Sequence, residues 1–418
     1  MPAADSRPRH RRSMNHHMNA GNTDNTPTEI RKPARILYIV MFAVFVLAPV
    51  VVFLFVQDYI DTENYEQRTL AAMPYSAESE ADGVPTTIET FAEEFEDWFE
   101  DHLPFRNQLL TFYNEFEYRV LRTSTSENVV VGREGWLFYK GSQVAGEDPI
   151  GDYLGTNLLT EEELATIAAN FTQMRDDLAA MGSEFYLYLA PNKERVYSEY
   201  MPDMYGEPSE YSKIDQLADY LNEHTDLVVV SSYDDIMAYK EANPDEQLYY
   251  KYDTHWNAIG AYVGAEQLVR TMGFGFTEME YCTLATIDYA DYDLARLLHL
   301  QNILDSEEDP YYVLSGYTPH VMRLTLENDG SVIRYNTTDG TAPGRKLFII
   351  GDSFSAVLMP YVGCHFLDSY MTYYYNYAYE TLLEEEPSVV LYEVVERYIG
   401  NLVDFNLYDG YTGTLIEG

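Results

Sequence analysis

The chain has 418 residues, with 69 acidic and 26 basic side chains and a formal net charge of −43. Its length allows one large domain or two ordinary ones, and its charge argues against nucleic acid or anionic lipid as a partner of the acidic part. The two cysteines, Cys282 and Cys364, allow at most one disulfide, which excludes a disulfide scaffold or a usual zinc site.

The N-terminal segment predicts a membrane anchor. Residues 36–56 form a 21-residue stretch without a charge, long enough to cross a bilayer as a helix, and Pro49 is tolerated there. Residues 1–35 carry seven basic and three acidic side chains, a net charge of +4, which predicts a disordered cytoplasmic tail. Residues 57–418 then carry −47 and face outward. We therefore expect a single-pass protein of the cell membrane with an extracytoplasmic domain.

A stalk and one α/β domain are predicted after the anchor. Residues 57–90 include a stretch rich in Pro, Ser, Glu and Gly that is typical of a stalk. Over residues 91–418, helical and strand patterns alternate, which predicts a doubly wound parallel sheet flanked by helices. The alternation breaks at about 273–343, an acid-rich insertion that we interpret as a lid, with a hairpin around 328–330. The main strands are predicted at 135–139, 183–189, 227–231, 346–350 and 388–392, and the helices at 107–122, 160–181, 211–222 and 258–272.

One short motif offers a nucleophile. Gly351-Asp352-Ser353-Phe354 follows the strand predicted over 346–350. A strand-to-helix turn there would raise the Ser353 hydroxyl, and backbone N–H groups of the turn would stabilise a developing oxyanion. The string lacks the second glycine of G-x-S-x-G and has Ser355 in its place, so a helix-capping serine is the alternative interpretation.

A second motif, Asp253-Thr254-His255-Trp256-Asn257, offers a base and a group to orient it. Asp253 and His255 are spaced i, i+2, which on an extended chain places both side chains on one face, about 6.6 Å apart. Asp253 would hold the Nδ1–H of His255 while Nε2 faces Ser353. Two alternatives stay open: a capping aspartate with an unrelated histidine, and a zinc site completed by a distant ligand.

Other polar residues give weaker signals. Lys193 and Arg195 follow a predicted strand, where a doubly wound sheet usually binds ligand, but solvated loop charges are an equal alternative. Cys364 and His365 are interpreted as packing residues, because adjacent side chains point apart in regular structure. The sequence contains no dinucleotide fingerprint or Walker loop, and we predict neither a cofactor nor a bound metal.

With these motifs in place, the chain resembles the DHHW family of membrane-anchored envelope proteins. It also resembles the SGNH-hydrolase-like polysaccharide O-acetyltransferases typified by the alginate acetylation proteins AlgX and AlgJ. The resemblance extends from residue 63 onward, and its strongest parts are the motifs at 253–257 and 351–354. Its other parts are Glu63 to Leu70, Asp101 to Arg106, Val131 to Tyr139, and Pro191-Asn192-Lys193.

The resemblance implies an SGNH-like fold and a catalytic triad of Ser353, His255 and Asp253. It implies transfer of acetyl groups to a cell-envelope glycan, fed by a membrane-bound O-acyltransferase partner. Asn192 is a positional candidate for a second oxyanion donor, and Lys193, Trp256 and Asn257 are further substrate or oxyanion candidates. Tyrosines of the insertion are expected to contact glycan: Tyr281, Tyr289, Tyr292, Tyr311 and Tyr312.

Two alternatives to a transferase remain at this point. A carbohydrate esterase would use the same triad and differ only in passing the acetyl group to water. A non-catalytic protein of the DHHW type would bind glycan or act as a scaffold for envelope assembly.

Overall fold

The computed structural model describes residues 32–59, 70–76, 87–142, 147–288, 291–304, 308–337 and 344–413. The chain divides into two compact units, Met1–Ile60 and Asp61–Gly418. Most of the predicted tail at 1–35, much of the predicted stalk, and Tyr289 lie outside the described residues.

The first unit contains one long helix. Helix α1 spans Lys32–Val56, and its part Arg35–Val56 is long and apolar enough to cross a membrane. Its large apolar side chains are mostly exposed, including Phe45 and Phe55. Apolar residues on every side of a helix are typical of a segment that lies in lipid.

The second unit is a mixed α/β domain. Its helices are α2 (Phe91–Asp101), α3 (Arg106–Phe116), α4 (Pro149–Leu154), α5 (Glu161–Ala180), α6 (Lys193–Val196), α7 (Lys213–His224), α8 (Tyr233–Ala242), α9 (Ala258–Thr271), α10 (Asp293–Leu297), α11 (Ser353–Gly363) and α12 (Tyr379–Glu385). Its strands are β1 (Val129–Val131), β2 (Leu137–Tyr139), β3 (Glu184–Ala190), β4 (Val229–Ser231), β5 (Thr283–Ile287), β6 (Tyr311–Ser315), β7 (Met322–Glu327), β8 (Val332–Thr337), β9 (Lys346–Gly351), β10 (Asp368–Tyr373), β11 (Val389–Val395), β12 (Phe405–Asn406) and β13 (Gly410–Tyr411).

A seven-stranded sheet organises this unit, in the order β4-β3-β11-β9-β10-β8-β7. The first five strands in that order are parallel, and the last two run antiparallel to their neighbours. Strand β11 lies between β3 and β9, although it is the last of these seven strands in the chain. The carboxyl ends of the five parallel strands therefore lie along one edge of the sheet, where the strand order places the end of β9 between those of β11 and β10.

Helices cover both faces of the sheet, as the alternating pattern predicts. Along β3, Phe185 and Leu187 pack against one face, with α5 and α7, while Tyr186 and Tyr188 pack against the other, with α8, α9 and α11. The period of two along a strand sends successive side chains to opposite layers. Helix α5 begins where the sequence predicts, because Thr160 and Glu163 form a capping box.

The insertion at 273–343 does not fold as one piece. The predicted hairpin forms with a turn at Asn328–Gly330, and its strands β7 and β8 add an antiparallel edge to the predicted parallel sheet. Strands β5 and β6 form a separate antiparallel pair. Residues 292–300 pack in a small third core with Tyr250 and Tyr252. The described parts of the insertion thus add to the body of the domain.

Candidate active site

Ser353 lies at the carboxyl edge of the central sheet, at the first residue of α11. Strand β9 ends at Gly351, and a Cβ on Gly351 would collide with the Ser355 hydroxyl and approach a Glu393 oxygen to 2.9 Å. Asp352 fixes the turn, because its carboxylate accepts from the Phe354 N–H (2.9 Å) and from the Val395 N–H (2.7 Å). The turn therefore presents Ser353 at a helix N-terminus, where backbone N–H groups favour negative charge.

His255 bridges Ser353 and Asp253. Its Nε2 lies 2.6 Å from the Ser353 hydroxyl oxygen, and its Nδ1 lies 2.6 Å from an Asp253 carboxylate oxygen. The structure thus brings the three predicted residues into one chain of hydrogen bonds. This is the arrangement in which an imidazole can remove a proton from a serine hydroxyl while a carboxylate orients the ring.

The local backbone differs from the extended segment that the sequence predicts. Tyr249 and Trp256 form an antiparallel bridge, and the Tyr250 N–H donates to the His255 carbonyl (3.1 Å), so the chain folds back as a loop. The Asp253 carboxylate caps that loop by accepting from the His255 N–H at 2.9 Å. Asp253 and His255 therefore meet through a turn stabilised by an aspartate side chain, not through strand pleating.

Asp253 and His255 each stabilise the charged form of the other. Burial alone would raise the pKa of Asp253, but the charge and hydrogen bond of His255, with two backbone N–H donors, bring it below its ordinary value. Burial alone would lower the pKa of His255, but Asp253 and then Asp293 raise it above 6.5. Asp253 is therefore ionised at neutral pH and favours an imidazolium at His255.

Asp293 was not predicted as a site residue, and it is the second carboxylate at this histidine. One of its oxygens lies 3.7 Å from Nδ1 of His255 and accepts from the Thr254 hydroxyl at 2.5 Å. Its other oxygen accepts from the Thr254 N–H, and its own N–H donates to Asp253, both at 2.8 Å. Burial, followed by the charge of Asp253, raises the pKa of Asp293 to about 6. The insertion therefore completes the support of the histidine.

The side chains of Lys193 and Asn192 are already hydrogen-bonded to other groups of the protein. The Lys193 ammonium donates to the carbonyls of Leu137 (2.6 Å), Asp253 (2.8 Å) and Lys251 (3.0 Å). The Asn192 amide donates to Asp152 at 2.9 Å and accepts from the backbone of Arg397 at 3.3 Å. Both side chains are buried, so the structure favours a structural role over contact with substrate. Lys193 supports the loop, and Asn192 connects Asp152 to the backbone of Arg397.

Trp256 and Asn257 are also buried rather than exposed to a substrate. The indole N–H of Trp256 donates to the Phe354 carbonyl at 3.3 Å, and the two rings pack 5.0 Å apart. Asn257 caps α9 by accepting from Ile259 and Gly260. The substrate-contact role that the sequence predicts for these two residues is therefore replaced by a structural one, since neither side chain is accessible.

Two charged residues, Glu393 within strand β11 and Arg397 just after it, also reach the site. The Arg397 guanidinium lies 5.1 Å from the Phe354 ring centre, and its charge opposes protonation of His255. Glu393 accepts from the Ser355 hydroxyl at 2.6 Å, and burial together with the charge of Asp352 raises its pKa well above the ordinary value. A charged residue at the end of a buried strand was the available sequence signal for Arg397.

The structure also describes the two cysteines and the residues that could form the zinc site left open by the sequence. Cys282 and Cys364 are both free thiols, and Cys364 is buried. Asp253, His255 and Asp293 offer possible ligand atoms within 4.8 Å of one another. A metal ion there would have to replace the hydrogen bond between His255 and Asp253, which already satisfies both groups.

The parallel sheet, its helical layers and the strand-to-helix turn at its carboxyl edge define an SGNH-hydrolase-like α/β domain. The chain belongs to the family whose model is described as SGNH hydrolase-like domain, acetyltransferase AlgX, which matches residues 129–358. The matched segment covers β1 through the first half of α11 and so includes both motifs.

Known proteins are similar to parts of this chain. The probable alginate O-acetylase AlgJ of Pseudomonas putida is 30% identical over 144 residues, which span 34% of each chain, about a third of that relative's length. Among solved structures, Bacillus cereus PatB1 has a TM-score of 0.49 at 14% identity and covers 66% of this chain and 98% of its own. A DHHW family protein from Eubacterium siraeum has a TM-score of 0.47 at 17% identity, covering 67% and 99%.

Proposed function

We propose that this protein is a membrane-anchored O-acetyltransferase that acetylates a cell-envelope polysaccharide outside the cytoplasm. The observation that carries the proposal is the 2.6 Å contact between His255 Nε2 and the Ser353 hydroxyl, in a chain of the AlgX acetyltransferase family. Ser353, His255 and Asp253 would act as nucleophile, base and orienting carboxylate. The names of AlgX and AlgJ support acetyl transfer to a polysaccharide.

The first half-reaction would load Ser353. Its oxygen attacks the acetyl carbonyl of the donor while His255 Nε2 takes the hydroxyl proton. The negative charge that develops on the carbonyl oxygen is stabilised by backbone N–H groups at the start of α11. His255 then returns its proton to the leaving group, and the acetyl ester of Ser353 remains.

The second half-reaction would pass the acetyl group to the glycan. His255 removes the proton from a sugar hydroxyl, whose oxygen attacks the ester carbonyl, and the same proton returns to Ser353 as the ester breaks. Asp253, ionised beside the ring, stabilises the imidazolium in both halves. Transfer rather than hydrolysis requires that the acceptor sugar, and not water, occupies the position facing His255.

The membrane helix would set where the reaction occurs. With the basic tail on the cytoplasmic side, α1 holds the catalytic domain at the outer face of the membrane, close to a membrane-bound O-acyltransferase that supplies acetyl groups. Anchoring the domain beside its donor raises the effective donor concentration.

Intact-mass spectrometry of the full-length protein in detergent, after incubation with p-nitrophenyl acetate, tests the nucleophile. We expect an adduct with the mass of one acetyl group on Ser353, and none in Ser353→Ala. His255→Ala should slow its formation by roughly a thousandfold, because the hydroxyl then lacks its base.

The matched control is Ser355→Ala, since Ser355 is the neighbouring hydroxyl and lies buried against Glu393. It should acquire the adduct as the wild-type protein does. An acetyl group on another residue, or equal acetylation of Ser353→Ala, would reject the proposed nucleophile. Oligosaccharide added to the acylated protein then distinguishes a transferase, which esterifies the sugar, from an esterase, which releases acetate.

A further inference from the structure

Five tyrosines cluster around the end of β10 and the end of β11. The rings of Tyr373 and Tyr375 stack 5.3 Å apart at an angle of 4°, and Tyr374 meets Tyr375 edge-on at 5.2 Å. Tyr374 also packs 6.2 Å from Tyr398. The Arg397 guanidinium joins this group to the fifth ring, at 5.1 Å from Tyr398 and 5.9 Å from Tyr139. We call these five tyrosines the tyrosine platform.

The platform lies beside the proposed nucleophile. Tyr373 pairs in register with Gly351, two residues before Ser353. Arg397 also contacts the Phe354 ring, at 5.1 Å. Because β9 lies between β10 and β11, Ser353 has Tyr373 and Tyr375 on one side and the Arg397 group on the other. A chain laid across the platform would therefore pass over the Ser353 hydroxyl.

The surface has the chemistry of a sugar-binding site. Tyr375 is 43% exposed, and the other four rings are half-buried, so each offers part of an apolar face at little cost in side-chain ordering. Among the residues that the structure describes, the hydroxyls of Tyr373 and Tyr375 have no hydrogen-bond partner. They remain available to the hydroxyl groups of a pyranose ring.

The charges near Ser353 select against a polyanion. Two cations of the site, Lys193 and Arg397, are buried and lie among carboxylates: Asp253, Asp293 and Asp309 for Lys193, Asp352 and Glu147 for Arg397, and Glu194 for both. Neither is left to neutralise an acidic sugar. Residues 57–418 also carry a net charge of −47, which repels a chain with a carboxylate on every sugar.

We propose that the tyrosine platform is the acceptor subsite and that it binds a neutral hexopyranose chain. This inference deepens the proposed function and rests on it, because it assigns the acceptor of the second half-reaction. Of the insertion tyrosines predicted to contact glycan, Tyr292 would not serve this role, because it is buried and donates to the Asp309 carbonyl.

Direct binding tests the platform independently of acyl transfer. Full-length Ser353→Ala in detergent micelles is titrated calorimetrically with cellohexaose, chitohexaose, mannohexaose and a mannuronate hexasaccharide. We expect at least one neutral chain to bind more tightly than the uronate. Tyr375→Ala in the same background should weaken that binding by about tenfold, because one stacked sugar is lost, whereas Tyr375→Phe, which keeps the ring and loses only the hydroxyl, should weaken it much less.

Tyr408→Ala is the matched control. Tyr408 is 54% exposed but bonds to Asp177 near the end of α5, at the opposite edge of the sheet, so its loss should leave binding unchanged. Tighter binding of the uronate than of every neutral chain, no measurable binding of any neutral chain, or an effect of Tyr408→Ala equal to that of Tyr375→Ala would each overturn the inference. A wild-type protein that binds these sugars but never acquires acetyl on Ser353 would instead reject the proposed function.

Discussion

His255 is held by two carboxylates of different origin. Asp253 belongs to the same loop as the histidine, whereas Asp293 comes from the insertion, 38 positions further along the chain. Their roles differ because Asp253 bonds directly to Nδ1 at 2.6 Å, while Asp293 lies 3.7 Å away and is bonded to Thr254. Asp293 is a positioning residue: it adds negative charge near the ring and fixes the loop through Thr254 and Asp253.

The fall in activity at low pH, which is the acid limb of the pH–rate profile, should depend on the charge of Asp293. The proposed base must be neutral to accept a proton, so Ser353-dependent release of p-nitrophenol should fall as pH decreases through the raised pKa of His255. Asp293→Asn removes one of the charges that raise this pKa, and the limb should move about half a unit to lower pH. A pH–rate profile from about pH 5 to about pH 9, which covers both sides of the limb, measures the shift.

Asp291→Asn is the matched control, because Asp291 lies in the same segment but pairs with Arg296 at 2.9 Å. It should leave the limb in place. A limb that stays in place in Asp293→Asn, or that moves to higher pH, would contradict the role assigned to Asp293.

The elements around the site converge at the carboxyl edge of one sheet. Ser353 follows β9, Lys193 follows β3, and Arg397 follows β11, so three parallel strands deliver polar groups to one place. The loop that carries Asp253 and His255 belongs to no strand of that sheet. Lys193 connects it to the sheet edge, because the ammonium donates to carbonyls of that loop and of β2.

Replacing Lys193 with Met should loosen this connection. Three carbonyls would lose a charged donor and stay buried, so the free energy of unfolding should fall by about 3 kcal/mol. Thermal unfolding of the full-length protein in detergent, followed by circular dichroism, measures the change. Lys240→Met is the comparison, since Lys240 donates to the Val196 carbonyl and pairs with Glu199 at a more exposed position. It should cost about 1 kcal/mol or less. Equal losses in the two variants would argue against a special role for Lys193.

The whole molecule is strongly asymmetric in charge and polarity. A tail of net charge +4 precedes an apolar helix, and a domain of net charge −47 follows it. Positive charge on the cytoplasmic side of a helix favours the orientation with the domain outside. The acidic domain is then repelled by anionic lipid, so the helix and not the domain surface would hold the protein at the membrane.

Deleting residues 1–56 should release the protein from membranes. The full-length chain is expected to stay in the membrane fraction after an alkaline carbonate wash, and the truncated chain to appear in the soluble fraction. Protease added to intact cells should digest the domain of the full-length chain while an N-terminal tag is protected. A truncated chain that still sediments with membranes, or a tag that is cut while the domain survives, would contradict the proposed anchor or its orientation.

Local patterns in the sequence were sufficient for much of the fold. Helix α5 starts at its predicted capping box, α9 occupies nearly its predicted range, and β3, β9 and β11 form where continuous apolar runs predict buried strands. These elements depend on short-range periodicity and capping, which are determined by residues close together in the sequence. The addition of β7 and β8 to the central sheet was not predicted, because strand pairing joins residues distant in the chain.

By itself, the sequence determined the apolar helix, the α/β class and the identity of Asp253, His255 and Ser353 as candidates, since each rests on a local motif. Only the tertiary structure brought His255 to within 2.6 Å of Ser353, 98 positions away, and added Asp293 and Arg397 to the site. It also placed Trp256 and Asn257 in the core and brought Tyr139 and Tyr398 close to the consecutive residues Tyr373 to Tyr375. The physical reason is that burial and proximity depend on how distant elements pack, which no local pattern records.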